Sequence, residues 1–299
     1  MQSASNSTTE TYTPQRFTLS QWQLERSAHH KVLNPWVADR LHRANFDVPH
    51  PVFDFLFTYY SFPPARLMRW SPGVDGVVEA SKLTMLDWSN YFEQHAEGYV
   101  LSPASFPSHR RGYLNWAIRY LTETGERAPF FGCFGLHEWA MLYQTPHPRH
   151  TGVPLRVSNE EIAAVVDDMQ PRCTHYDAFR FFTPAARPLN RQQLTRITTA
   201  EHDQPACIHV TMDLYRFAYK IAPFCPSAVI QESFLLAAQA RTIDMQASPY
   251  DLSEFDLDPI RIETQAGRER YIAKQRELVE RSSPLRKKLL EIYLYLASR

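Results

Sequence analysis

The stretch Pro205-Ala-Cys-Ile-His-Val-Thr-Met-Asp-Leu-Tyr-Arg-Phe-Ala-Tyr-Lys220 decides the fold class. Proline suits the first turn of a helix, where its missing N–H would have no partner in any case. No proline or glycine follows before Lys220, so the spacing predicts one helix from Pro205 through Lys220. Working outward, Pro226-Ser227 opens a second helix, rich in Leu and Ala, that runs through Met245 and carries Glu232 and Asp244. Gly267 to Arg299 reads as a long charged helix interrupted near Ser283-Pro284, with Leu289, Ile292, Tyr293 and Leu296 forming an apolar face. Upstream, Ser158-Asn-Glu-Glu161 has capping-box spacing and starts a helix through Met169. His109-Arg110-Arg111 opens another through Leu121, and Trp88 to Tyr99 also has helical character. Trp22, Leu24, Leu33, Trp36, Val37 and Leu41 recur at helical spacing between Thr18 and Asn45, broken by Pro35 into two short helices. Only Asp75 to Asp87 leaves room for short strands.

Composition agrees with this reading. The 299 residues are 44% hydrophobic and 21% charged, enough to bury one large core. Nine Gly against 22 Pro, with 13% aromatic residues, suit helices punctuated by prolines better than a sheet rich in glycine turns. The expectation is a mainly α protein, a single multi-helix domain over residues 17–299 with at most a few short strands, preceded by a disordered polar tail at residues 1–16. Thirty-two basic and 32 acidic residues cancel, which disfavours a polyanion partner unless the basic groups gather on one face. Four cysteines, at 133, 173, 207 and 225, without a leading apolar segment, predict free thiols in the cytoplasm. No apolar run reaches membrane-spanning length, so no membrane partner is expected.

Chemistry-bearing residues concentrate in three short runs. Arg172-Cys-Thr-His-Tyr-Asp-Ala-Phe-Arg-Phe-Phe-Thr-Pro184 packs a thiol, an imidazole, a carboxylate and two guanidiniums among aromatic rings. Cys207-Ile-His-Val-Thr-Met-Asp213 and Cys133-Phe-Gly-Leu-His-Glu138 repeat the association of Cys, His and carboxylate. Together they predict the lining of one site. His209 and Asp213, at i and i+4, share a helix face where both can reach one ion. His137 and Glu138 are adjacent and point in different directions. His175 and Asp177 lie two residues apart, and Asp177 can equally pair with Arg180. One reading is therefore a mononuclear or dinuclear metal site of His137, His175 and His209 with Glu138, Asp177 and Asp213. It would hold iron, manganese or zinc and act on a small molecule by oxidation or hydrolysis. A non-catalytic helical binding scaffold is the plainer alternative. His147 and His150 fall in a loop and are expected to be exposed. No P-loop, dinucleotide fingerprint, Gly-x-Ser-x-Gly elbow, His-Glu-x-x-His pair or Cys-x-x-Cys is present.

His50-Pro-Val-Phe-Asp-Phe-Leu-Phe-Thr-Tyr-Tyr-Ser61, Phe131-Gly-Cys-Phe-Gly-Leu-His-Glu-Trp-Ala-Met141, Cys173-Thr-His-Tyr-Asp-Ala-Phe-Arg-Phe-Phe-Thr-Pro184 and Met212-Asp-Leu-Tyr215 resemble a bacterial family labelled 3-methyladenine DNA glycosylase. The likeness runs from about His50 to about Tyr271 and does not include a helix-hairpin-helix followed by a Gly/Pro-rich loop and catalytic Asp. It implies excision of alkylated purines from damaged DNA without a cofactor. Such chemistry needs a flipped base, an aromatic pocket and a carboxylate near the developing cation. Under it, Asp177 with His175 would be catalytic, Tyr176, Phe179 and Phe182 would stack the base, and Arg110, Arg111 and Arg180 would meet phosphates.

Overall fold

The computed structural model describes residues 12–145 and 152–299, so His147 and His150 lie outside the described residues. Among those described, the chain runs β1 (Arg16–Phe17), α1 (Leu19–Ala44), α2 (Phe55–Thr58), α3 (Pro64–Leu67), β2 (Val77–Val78), β3 (Phe92–His95), β4 (Gly98–Leu101) and α4 (Arg111–Glu126). It continues as α5 (Leu136–Ala140), α6 (Asn159–Met169), α7 (Tyr176–Phe179), α8 (Thr199–His202), α9 (Ile208–Lys220), α10 (Ser227–Gln246) and α11 (Gln265–Ala297). The protein is mainly α, one multi-helix domain with a small four-stranded sheet.

α9 is the axis of the core. Eleven of its 13 residues are buried, as expected of a helix enclosed on every side. It packs along α10 and against α11, α11 in turn packs on α4, and α1 reaches α10. α11 explains its own length. Tyr271, Gln275, Leu278, Ser282, Leu285, Leu289, Ile292 and Leu296 are all buried, and they follow an unbroken alternation of four and three residues, the spacing of one continuous helix seam.

The break expected at Pro284 therefore does not occur. Pro284 is exposed, off the seam, and its missing N–H falls on the solvent side while the buried face carries the helix through. The same correction applies to Pro35. It is exposed within the single 26-residue α1, which is fastened to the core by Trp22, His29, Leu33 and Val37 and started by a Thr18–Gln21 capping box. The Ser158–Glu161 capping box forms as its spacing predicts.

Trp88 to Tyr99 is the second correction, being a hairpin rather than a helix. Trp88 takes φ +66°, which ends any right-handed helix there. The strands pair antiparallel from Phe92↔Leu101 to His95↔Gly98, with Gly98 at φ +128° beside the tight turn. Phe92 and Leu101 are buried, whereas Glu93 and Gln94 are exposed. The sheet order is β1-β2-β4-β3, with only β1 and β2 parallel. Residues 12–16, expected in the tail, lie on the body. The Tyr12 hydroxyl donates to the Val74 carbonyl at 2.9 Å, and Arg16 pairs with Glu97 and joins β1.

Candidate metal centre

Gly135 adopts φ +70° and turns the chain into α5. That conformation is cheap only without a Cβ. His137 and Glu138 consequently enter the core on the first turn, and both are buried. The His137 Nε2 atom lies 2.9 Å from Oδ1 of Asp244 on α10. Its ring sits edge-on to His209 of α9, with centroids 4.4 Å apart. His137, His209 and Asp244 each offer one ligand atom, and the three atoms lie within 4.8 Å of one another. Two donors held about 2.0–2.1 Å from one ion stand about 2.9 Å apart at the right angle of an octahedral site and about 3.3 Å apart at the tetrahedral angle of zinc. Although 2.9 Å is also a hydrogen-bonding distance, neither His137 Nε2 nor Asp244 Oδ1 completes an aligned hydrogen bond among the described residues. Both atoms are buried and face each other across that contact.

Arg241 holds this triad from behind. It is 1% exposed and donates from Nη1 to Glu138 Oε1 at 3.0 Å and to Asp244 Oδ2 at 2.7 Å. The second contact occupies one oxygen of Asp244 and leaves the other facing the histidines. Burial alone would raise the Asp244 carboxyl, but its contact with His137 and the Arg241 guanidinium outweigh it and hold it below the ordinary range. Burial, followed by His137, pushes His209 well below the ordinary imidazole value. It is therefore neutral, the form a ligand must have. His209 also separates two cavities. One, of about 280 Å³, is lined by Phe55, Tyr59, Met141, Phe181, Glu138 and Asp177 among others. The other, of about 10 Å³, touches Cys133, Cys173 and Cys207.

His175 belongs to an adjoining cluster. Its ring stacks on His209 at 5.1 Å, but its Nε2 faces Asp213 Oδ2 at 3.4 Å and Asp203 Oδ2 at 4.0 Å. Tyr60 donates to Asp213 at 3.0 Å, Tyr120 donates to Asp203 at 2.6 Å, and Arg216 meets Asp213 at 2.5 Å. Burial opposes a charge on His175, yet Asp203 and Asp213 prevail and raise it. Burial lifts the Asp203 carboxyl to about 6 even though His175 and Tyr120 pull it down. Asp213 feels the same burial but is held below its ordinary value by Arg216 and His175. The i, i+4 pair His209 and Asp213 is thus divided, one residue to each cluster.

The remaining candidates disperse. Asp177 lines the larger cavity, partly exposed, and pairs with Arg180 at 3.1 Å and Arg216 at 3.5 Å. It is not among the grouped ligands. Glu138 reaches Arg241 rather than the triad, in keeping with its orientation relative to His137. Phe179 and Phe182 are 6% and 2% exposed and pack on each other in the core, so Phe181 is the ring of that run that lines the cavity. Tyr176 is half-buried and does not line the cavity. Arg110 donates to the carbonyl of Lys220, at the far end of α9 from His209. That is roughly 16 Å away at about 1.5 Å per residue, and Arg111 follows Arg110 into α4. Burial raises the Cys133, Cys173 and Cys207 thiols, which keeps them protonated and unreactive.

In sequence Asp244 is only a residue carried by the helix after Ser227, and Arg241, Asp203 and Arg216 carry no motif that marks them as site residues. The available signal was a pair of opposite charges, Arg241 and Asp244, three residues apart in a run, Phe234 to Met245, whose other residues are uncharged and mostly apolar. Buried charges rarely occur without a task or a partner. Among the described residues no helix is long and apolar enough to cross a membrane. In comparisons with known proteins, the chain matches no family model, no curated protein and no solved structure.

Proposed function

We propose that the protein is a metal-dependent enzyme that binds one iron, manganese or zinc ion through His137, His209 and Asp244 and acts on a small molecule. One observation carries this reading: three buried ligand atoms on three different helices converge within 4.8 Å of one another. Two of them, on His137 and Asp244, have no aligned hydrogen-bond partner among the described residues. Two imidazoles and a carboxylate form the ligand set of non-haem iron oxygenases and, with Glu as the carboxylate, of several zinc hydrolases. A bound ion supplies a Lewis acid that polarises an oxygen of the substrate or of water. Arg241 orients Asp244 from behind. The cavity of about 280 Å³ reaches His209, and Phe55, Tyr59 and Phe181 give it an aromatic wall for a small substrate. Glu138 and Asp177 are the carboxylates that line that cavity.

Metal per chain, measured by elemental analysis of tag-free protein, tests the assignment. About one equivalent in the wild type, falling at least tenfold in His209→Ala and in Asp244→Asn, is the expected result. Metal that is absent from the wild type, or retained in full by both variants, would refute it. Excision of alkylated purines is the second reading, favoured by Asp177 beside the rings of Tyr59 and Phe181 in the same cavity. The core positions of Phe179 and Phe182 and the remote Arg110 count against it. Release of 3-methyladenine from alkylated DNA, lost in Asp177→Asn and retained in His209→Ala, would favour it over the metal enzyme.

A further inference from the structure

A third cavity has the make-up of an anion pocket. It measures about 330 Å³, and its lining includes Arg127, Phe130, Arg172, Arg191, Glu201 and Gln204. Three guanidiniums therefore face one carboxylate. The pocket shares Arg172, Cys173 and Thr174 with the small cavity beside His209, yet none of the triad ligands lines it.

The arginines are brought together by buried backbone clamps. Asn190 accepts from the Cys173 N–H at 2.8 Å and donates to the Cys173 carbonyl at 3.1 Å. The Arg191 N–H donates to the Pro171 carbonyl at 3.0 Å. This pins residues 171–173 to residues 190–191, so Arg172 and Arg191 emerge side by side. Both are exposed, and neither has an ion pair among the described residues. Arg127 is fixed opposite by the carbonyls of Asp203 and Ala200. Gln204 clamps the backbone of Phe130 from both sides, accepting at 2.9 Å and donating at 3.2 Å, which sets that ring at the pocket wall.

Two guanidiniums without an ion pair among the described residues line one concave surface together with a third cation and an aromatic ring, a lining that suits a phosphate with a ring attached. Guanidinium forks suit phosphate geometry and form charge-assisted hydrogen bonds. A pocket of this volume takes a small molecule rather than a duplex. We propose that Arg172 and Arg191, backed by Arg127, bind the phosphate of a small phosphorylated ligand whose ring rests on Phe130. The pocket stands whether or not the triad holds a metal.

Titration calorimetry at low salt with inorganic phosphate, adenosine monophosphate and a single-stranded oligonucleotide tests this. The wild type is expected to bind adenosine monophosphate at one site per chain, more tightly than inorganic phosphate. Arg172→Ala/Arg191→Ala should weaken both at least about tenfold, while Arg270→Ala, an exposed cation on α11, should leave them unchanged. The exposed positions of Arg172 and Arg191 predict unaltered thermal unfolding in the double variant, so lost binding would not reflect lost fold. Absence of saturable binding of either phosphate by the wild type, or equal binding by the double variant, overturns the proposal. Tighter binding of the oligonucleotide than of the mononucleotide would overturn the small-molecule assignment and make the surface a nucleic-acid site.

Discussion

Arg241 and Asp177 show how differently two charged residues beside one cavity can be used. Arg241 is enclosed, with its guanidinium 4.4 Å over the Phe55 ring and bonded to two carboxylates. Arg241→Met should lower stability in urea denaturation by about 3–5 kcal/mol, because it strips buried carboxylates of their counter-charge. Asp177 is partly exposed and its Arg180 partner more so. Asp177→Asn should therefore change stability by no more than about 1 kcal/mol, read in the same assay. Residue chemistry was legible in part. Histidines 137, 175 and 209 were singled out and do gather, their rings in contact through His209. The partition among them was not legible, since helix spacing places His209 and Asp213 on one face but does not say that their tips diverge toward Asp244 and His175. Asp244 itself is an ordinary residue in sequence, and only packing of α10 along α9 turns it toward the imidazoles.

At the scale of elements, the capping box was legible, whereas prolines misled: the helix expected from Pro205 begins at Ile208, after a turn at Pro205 and Ala206. The Ser158–Glu161 reciprocal cap forms, and Ser158→Ala should lower stability by about 1 kcal/mol in urea denaturation. Pro35 and Pro284 were read as breaks because a proline removes a hydrogen bond wherever it sits in a helix interior. Both instead occupy the solvent side of helices whose opposite faces are continuous seams. Only the end of the α11 seam, Leu289 to Leu296, was legible in the sequence, because its earlier part carries Gln275 and Ser282, polar residues at buried positions. The hairpin at residues 92–101 was missed because a strand pair this short carries too few alternations to outweigh helix-like spacing.

Across the whole molecule, long-range ties join segments far apart in the chain. Arg156 meets Glu263 in a two-pronged pair of 2.6 and 2.9 Å, linking the approach to α6 with the approach to α11. Arg156 also lies over the ring of Trp139, next to Glu138. Burial would raise the Glu263 carboxyl, but the Arg156 hydrogen bond outweighs it and lowers the folded-state value below 4.5. A carboxyl held low in the folded state contributes above its unfolded value, and the contribution is lost as pH falls through the folded one. Urea denaturation across pH 7 to 3 should show the wild type losing stability below about 4.5, whereas Glu263→Gln should lack that component of the loss.

The burial of α9 has a further consequence. The helix that carries His209 is also the centre of the core, so occupancy and folding are one linked equilibrium. Anything bound by His137, His209 and Asp244 in the folded chain, and not in the unfolded one, adds stability that grows logarithmically with its free concentration. A chelator should then act as a mild denaturant, lowering the melting temperature by several degrees. Titrating back different divalent ions should rank them by how far each restores it, making the melting curve a selectivity assay that requires no knowledge of the substrate.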